Sequence, residues 1–257
     1  MKRAFADGLL AAFALAASTL CAVRADAFAV RAFGREACHE KMTRDAFLAT
    51  LSRGFDADEA VPLPDSNRWN EVAAYLGEDL FAGAVGDAER FALVSLVLGS
   101  RYPDLRAASA TDIQSLREIH RDPEDQDSHF LRGADDDYAA GDASAISNAE
   151  ALIRWRLDEA AGFLSRPRDS QLLEVDVFIE FYGAVKVTVW GPAYLLGVAA
   201  HTVEDSFSHT VRGDDLARIR GVANYIDAVT HGYDGERDGL RHSWAMDRCG
   251  DEAEALA

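Results

Sequence analysis

His201, Asp205 and His209 recur at four-residue intervals within the string that runs from Gly197 to His209. At 100° per residue such positions fall within an arc of about 80°, so on a helix all three side chains leave one face. Imidazole nitrogens and a carboxylate oxygen are the donors zinc takes where thiolates are absent. The chemistry this points to is metal-assisted. Taken alone, the same spacing also describes a polar helix face carrying one ion pair. The chain has 7 histidines, namely His39, His120, His129, His201, His209, His231 and His242. Several stand among carboxylates in otherwise apolar helical segments, where a shared cation supplies the partners that buried imidazoles and acids need.

The elements that must carry these residues read as helices. Glu40 to Ser52 has Met42, Ala46, Phe47 and Leu51 at helical spacing and stops at Gly54. Ala57 to Trp69, with Pro62 and Pro64, reads as a loop. Ala88 to Leu98 is an apolar helix that Gly99 should end. From Arg101 to Gly141 the chain is polar and acidic and reads as a long ordered loop with one helical stretch near Ile113 to Ile119; loops of that length usually serve a site. Ala143 to Leu164 is helical again. Leu172 to Trp190 is rich in Val, Ile and Phe, which suits strands, but its length and lack of internal turn signals favour a buried helix. Pro192 suits the first turn of a helix reaching about His209. Leu216, Ile219, Ala223, Ile226 and Val229 predict one more. The expected fold class is all-α, a single multi-helix domain.

With 257 residues and 49% hydrophobic content the chain can bury a sizeable core. Its formal net charge of −18 argues against general affinity for nucleic acid or an anionic membrane. Lys2 and Arg3, the apolar run Leu9 to Cys21 and the small residues up to Ala27 have the form of a bacterial-type signal peptide over residues 1–27, too short to span a bilayer. The mature domain, 28–257, is therefore expected to be secreted or periplasmic. Lipidation at Cys21 is the weaker reading, because Leu20 is a poor residue before a lipidated cysteine. Export leaves Cys38 and Cys249, a pair expected to form a disulfide in an oxidising compartment. That bridge would bring the C-terminal segment beside His39.

Taken together, the His39-Glu-Lys-Met-Thr-Arg-Asp-Ala-Phe string, Ser128-His129-Phe130 and the His201 to His209 string resemble the zinc-dependent phospholipase C fold, whose superfamily includes the single-strand-specific zinc nucleases. The resemblance covers most of the chain after residue 27. It implies an all-α domain holding two or three zinc ions and hydrolysing phosphodiesters with a metal-activated water. It implies metal ligands at His39, Asp104, His129, His201, Asp205 and His209, with Asp104 also touching the attacking water as the catalytic carboxylate. The family adds a further histidine and an acid. His242, with Asp238 four residues before it, is the better candidate, because the Cys38–Cys249 bridge would draw it towards His39; His231 reads as a helix-end histidine and His120 as a surface one.

The sequence departs from the family at two points. Only three residues separate Asp205 from His209, fewer than in the family. The family's N-terminal tryptophan, whose amine and carbonyl bind zinc, has no counterpart, since cleavage after Ala27 leaves Phe28, a ligand candidate by position alone. The expected substrate is a phosphodiester, more readily a phospholipid headgroup than a nucleic acid, since the surface is acidic and Trp155 and Trp190 read as core; no stable nucleic-acid complex is expected. A zinc nuclease of the same fold, or a non-catalytic metal-binding protein, are the other readings.

Overall fold

The computed structural model describes residues 38–109, 112–122, 124–133, 138–179, 182–225 and 234–242. The signal peptide, Phe28, His231, Trp244 and Cys249 lie outside them. Among the described residues eight α-helices run in the order α1 (Cys38–Leu51), α2 (Ala57–Ala60), α3 (Arg68–Leu76), α4 (Asp87–Leu105), α5 (Ile113–Arg121), α6 (Tyr138–Leu164), α7 (Gly191–Ser208) and α8 (Gly235–Asp238). Two antiparallel strand pairs interrupt them: β1 (Leu172–Ile179) with β2 (Gly183–Trp190), and β3 (Thr210–Arg212) with β4 (Ile219–Val222). The fold is mostly helical rather than all-α.

The crossing of α4 over α7 forms the centre. Leu93, Val94, Leu96 and Val97 of α4 and Ala193, Leu195, Leu196 and Val198 of α7 are buried in one apolar cluster with Trp69, Phe91 and Trp190. A Cβ on Gly99 would stand 2.0 Å from the Tyr194 carbonyl oxygen, and one on Gly197 2.0 Å from the Leu96 carbonyl oxygen. Gly99 therefore does not end a helix. It lets two backbones touch, and α4 continues through Pro103 to Leu105. That extension turns Asp104 from a loop residue into one held on the last turn of a buried helix. Entry into α4 is fixed by Glu89, whose Oε2 accepts from the backbone N–H of Val85 at 2.8 Å and of Gly86 at 3.4 Å.

Leu172 to Trp190 is a hairpin, not a helix. Leu173, Val175, Val177 and Ile179 alternate with Glu174, Asp176 and Phe178, the two-residue period that a strand requires. The register pairs Leu172 with Trp190 and Ile179 with Gly183, which takes φ +80 at the turn. Its base is fastened where the Trp190 backbone N–H donates to Ser95 Oγ at 2.8 Å and the indole N–H donates to Gln171 Oε1 at 3.0 Å.

The helix expected from Leu216 is likewise replaced by β3 and β4, up to Tyr225 where the described segment ends. Apolar spacing alone does not distinguish the two there, because the runs are short and pair across a bulge at Val211–Arg212, with Gly221 inside β4 opposite Val211. Leu216 itself has φ 56 in the connecting turn. The acidic stretch after Arg101 is largely ordered into α5 and a 3₁₀ turn, Gln126–His129. Asp112 caps α5 through the Ser115 N–H at 3.2 Å. Trp190 is core as expected, whereas Trp155 is 51% exposed under the Arg156 guanidinium.

Candidate metal centre

Four elements deliver the donors: His39 from the first turn of α1, Asp104 from the last turn of α4, His129 from the 3₁₀ turn, and His201 and Asp205 from α7. His201 and Asp205, one helical turn apart, place Nε2 and Oδ2 3.0 Å from each other. His129 Nδ1 lies 3.2 Å from both of those atoms. Asp104 Oδ1 lies 3.7 Å from His129 Nδ1 and 3.7 Å from His201 Nε2. Donors about 2.0–2.1 Å from a tetrahedral zinc stand about 3.3–3.4 Å apart. The three separations among His129, His201 and Asp205, 3.0–3.2 Å, lie just under that value, so this triad fits such an ion, and Asp104 Oδ1 stands 3.7 Å from its two nitrogens.

His39 faces the other oxygens of the same carboxylates, with Nε2 3.3 Å from Asp205 Oδ1 and 3.9 Å from Asp104 Oδ2. Each carboxylate thus offers one oxygen to the His129–His201 side and one to the His39 side. Such carboxylates can bridge two ions.

The backbone decides which ring nitrogen points inward. His201 Nδ1 is 2.8 Å from the Ser100 carbonyl oxygen and His209 Nδ1 is 2.5 Å from that of His129. His39 Nδ1 is 2.8 Å from Glu204 Oε2, and Glu204 Oε1 accepts from the Thr43 hydroxyl at 2.8 Å. An Nδ1–H given to an oxygen leaves Nε2 as a lone pair, the form that binds metal. His129 is reversed: Nδ1 faces the cluster and the buried Nε2 has no hydrogen-bond partner. Lone pairs of His129 and His201 only 3.2 Å apart repel unless a proton or a cation lies between them. A shared cation relieves that repulsion, and the donor set suits zinc.

Backbone strain marks the same place. Among the described residues only Arg106, Phe130 and Leu216 are non-glycine with positive φ. Phe130, at φ 51, directly follows His129, and Arg106, at φ 49, closes α4 two residues after Asp104. Each costs about 1–2 kcal/mol of local strain, which the surrounding packing must hold.

Burial and charge act against each other here. Burial by itself would raise the Asp205 carboxyl, but the His201 and His209 imidazoles, with hydrogen bonds from His129 and His201, hold it well below the usual range. Asp104 is lowered in the same way, against its own burial, by His201, His120, His39 and His129. His39 is raised although burial opposes it, because Asp205 and Glu204 outweigh burial. His129 is lowered, with burial the leading cause.

Of the residues expected from the sequence, His39, Asp104, His129, His201 and Asp205 meet in this cluster. His209 caps the end of α7 at its edge, with Nδ1 3.9 Å from Asp205 Oδ2. His242 packs edge-on to His209 at 4.8 Å rather than against His39. Asp238 is elsewhere: its Oδ2 accepts from the Asp234 backbone N–H and its Oδ1 pairs with Arg237. The neighbours that spacing does not reveal are Glu204 and His120. His120 is no isolated surface residue, for its ring stacks on His129 at 4.8 Å and its Nε2 stands 3.3 Å from Asp104 Oδ1. Its place among carboxylates before the Ser128-His129 string was the available signal.

No family model, curated protein or solved structure matches this chain. The functional reading therefore rests on the geometry.

Proposed function

We propose that the chain is an exported zinc-dependent phosphodiester hydrolase of the phospholipase C-like type. The observation that supports this most is the pair of carboxylates, Asp104 and Asp205, each dividing its oxygens between two sets of imidazoles. Zinc bound there would acidify a water and polarise a phosphoryl oxygen.

The chain's own residues have separable tasks. His129, His201 and Asp205 are 0–4% exposed and fix the geometry. Asp104 is 15% exposed, so among the four donors it alone has an edge towards solvent. An attacking water could be oriented there by hydrogen bonding to the Asp104 carboxylate, which could also accept its proton. His201, Asp205 and Glu204 stand on α7, and its packing against α4 keeps Asp104 in register with them. The depth of the cluster also favours a second reading, a metal held for stability in a non-catalytic protein.

Elemental analysis of the mature protein, followed by hydrolysis assays on phosphatidylcholine, single-stranded DNA and bis(p-nitrophenyl) phosphate, separates these readings. The hydrolase reading expects zinc in the protein and turnover that Asp104→Asn abolishes while the fold is retained. Zinc without turnover on any phosphodiester overturns it in favour of the structural role, and turnover on DNA in preference to lipid makes the protein a nuclease.

A further inference from the structure

The walls of the centre are unequal. His39, His129, His201 and Asp205 are 0–4% exposed, whereas Asp104 is 15% and His120 26% exposed. Among the described residues, the Asp104–His120 edge is the side on which these donors meet water. His120 is placed there deliberately by the chain. Its Nδ1 lies 2.7 Å from the Leu116 carbonyl oxygen one turn back on α5, which turns Nε2 towards Asp104 Oδ1. Gln126 then fixes the end of α5, its Nε2 donating to the carbonyl oxygens of His120 and Asp122 at 2.9 Å each.

Two donor sets share members as a result. Asp104, His120 and His129 form a shallow triad, and His129, His201 and Asp205 form a deep one. Asp104 Oδ1 is within 3.3–3.7 Å of the inward nitrogens of His120, His129 and His201. An ion held by the shallow triad can reach the deep one by exchanging His120 for His201 and Asp205 while Asp104 and His129 keep hold. A buried site filled one ligand at a time avoids stripping a hydrated cation of all its water in a single step, which is the costly alternative.

We propose that His120 is the outer ligand of the centre, the water-facing donor through which a divalent metal ion enters and leaves the buried set formed by Asp104, His129, His201 and Asp205. This rests on the metal-binding reading above. A ligand that acts only on the path accelerates both directions alike, so its loss changes rates and not affinity.

The test measures zinc uptake and release by the full mature chain, stripped of metal, in stopped flow with a chromophoric zinc chelator. His120→Phe keeps a ring against His129 and removes the donor; His120→Asn keeps a polar side chain but is too short to reach Asp104. Circular dichroism of each metal-free variant checks that the fold is retained. Both variants should show uptake and release slowed by a common factor, on the order of tenfold, which is a barrier raised by about 1.4 kcal/mol in each direction. Zinc stoichiometry and the cobalt(II) absorption spectrum should match those of the parent. Unchanged rates overturn the proposal, and so does a weakened affinity or altered cobalt spectrum, which would make His120 a resident ligand. Failure of the parent itself to bind zinc or cobalt overturns the metal reading as a whole, a result distinct from the other two.

Discussion

Gly99 of α4 and Gly197 of α7 lie against each other, so close that a Cβ on Gly197 would stand 3.0 Å from the Gly99 Cα. The orientation of His201 depends on that approach, because Ser100, next to Gly99, presents the carbonyl that faces its Nδ1. The crossing is part of the metal centre as much as of the core.

Gly99→Ala and Gly197→Ala should each destabilise the protein by roughly 1–3 kcal/mol or more, since the clash is with backbone that cannot turn aside. Gly162 of α6 is the control, with nothing within 4 Å of an added Cβ. Gly162→Ala should stabilise by up to about 1 kcal/mol through helix propensity. Urea denaturation of the three variants checks both signs.

Asp205 serves both sides of the cluster and His39 only one. Asp205→Ala should therefore remove nearly all bound zinc, whereas His39→Ala should lower the number of ions per chain and leave the His129–His201 side loaded. Elemental analysis after dialysis distinguishes the two. Equal losses would show that the carboxylates are not shared.

Glu204 faces the outer nitrogen of His39, Nδ1, and so sets the His39 tautomer; it is itself held by Thr43. Glu204→Ala should weaken metal affinity by about 10–100-fold, the range for such supporting residues, with full occupancy recovered at high zinc. Competition with a zinc chelator reads this directly.

The metal-free protein should have its own pH profile. Asp104 and Asp205 are lowered on folding, so they stabilise above the unfolded carboxylate pKa of about 4, and that contribution is lost as pH falls through their folded values. His39 and His201 are raised, so their contribution is full below about pH 6.5 and is lost as pH rises through the folded values. His129 is lowered and works the other way, costing stability as pH falls below about 6.5 and offsetting part of the gain from the other two. Metal-free protein should melt highest between roughly pH 4 and 6.5, and zinc should raise the melting temperature increasingly above that window, where protons no longer compete for the ligands. Melting curves with and without chelator across pH 4–9 check it.

The candidate donors on α7 are legible because one helix carries them at a fixed spacing, and the resemblance of short strings points to His39, Asp104 and His129. What spacing could not supply was anything set by tertiary contact. Gly99 carries the composition of a helix stop and the role of a helix contact, which hid the extension to Asp104. Leu172 to Trp190 alternates in the manner of a strand, yet contains no glycine–asparagine pair to announce the hairpin, only Gly183 at φ +80. His120 reads as a surface residue in the sequence because its partners, His129 and Asp104, lie on other elements. Glu204, adjacent to Asp205, carries no signal in its spacing because its partner is His39 in a different helix.

The donors belong to residues 39, 104, 129, 201 and 205, so a single centre gathers the first described helix and one that ends more than halfway along the chain. An ion held there acts as a clasp on the covalent chain. Loop-closure entropy grows only slowly with loop length, so tying His39 to Asp205 constrains the unfolded chain only modestly more than tying Asp104 to His129. A protease cut between Leu105 and Ile113 separates Asp104 from His129 in sequence but not in the centre. With metal bound, the two fragments stay fastened, and survival of the nicked fold passes from the peptide bond to the coordination bonds.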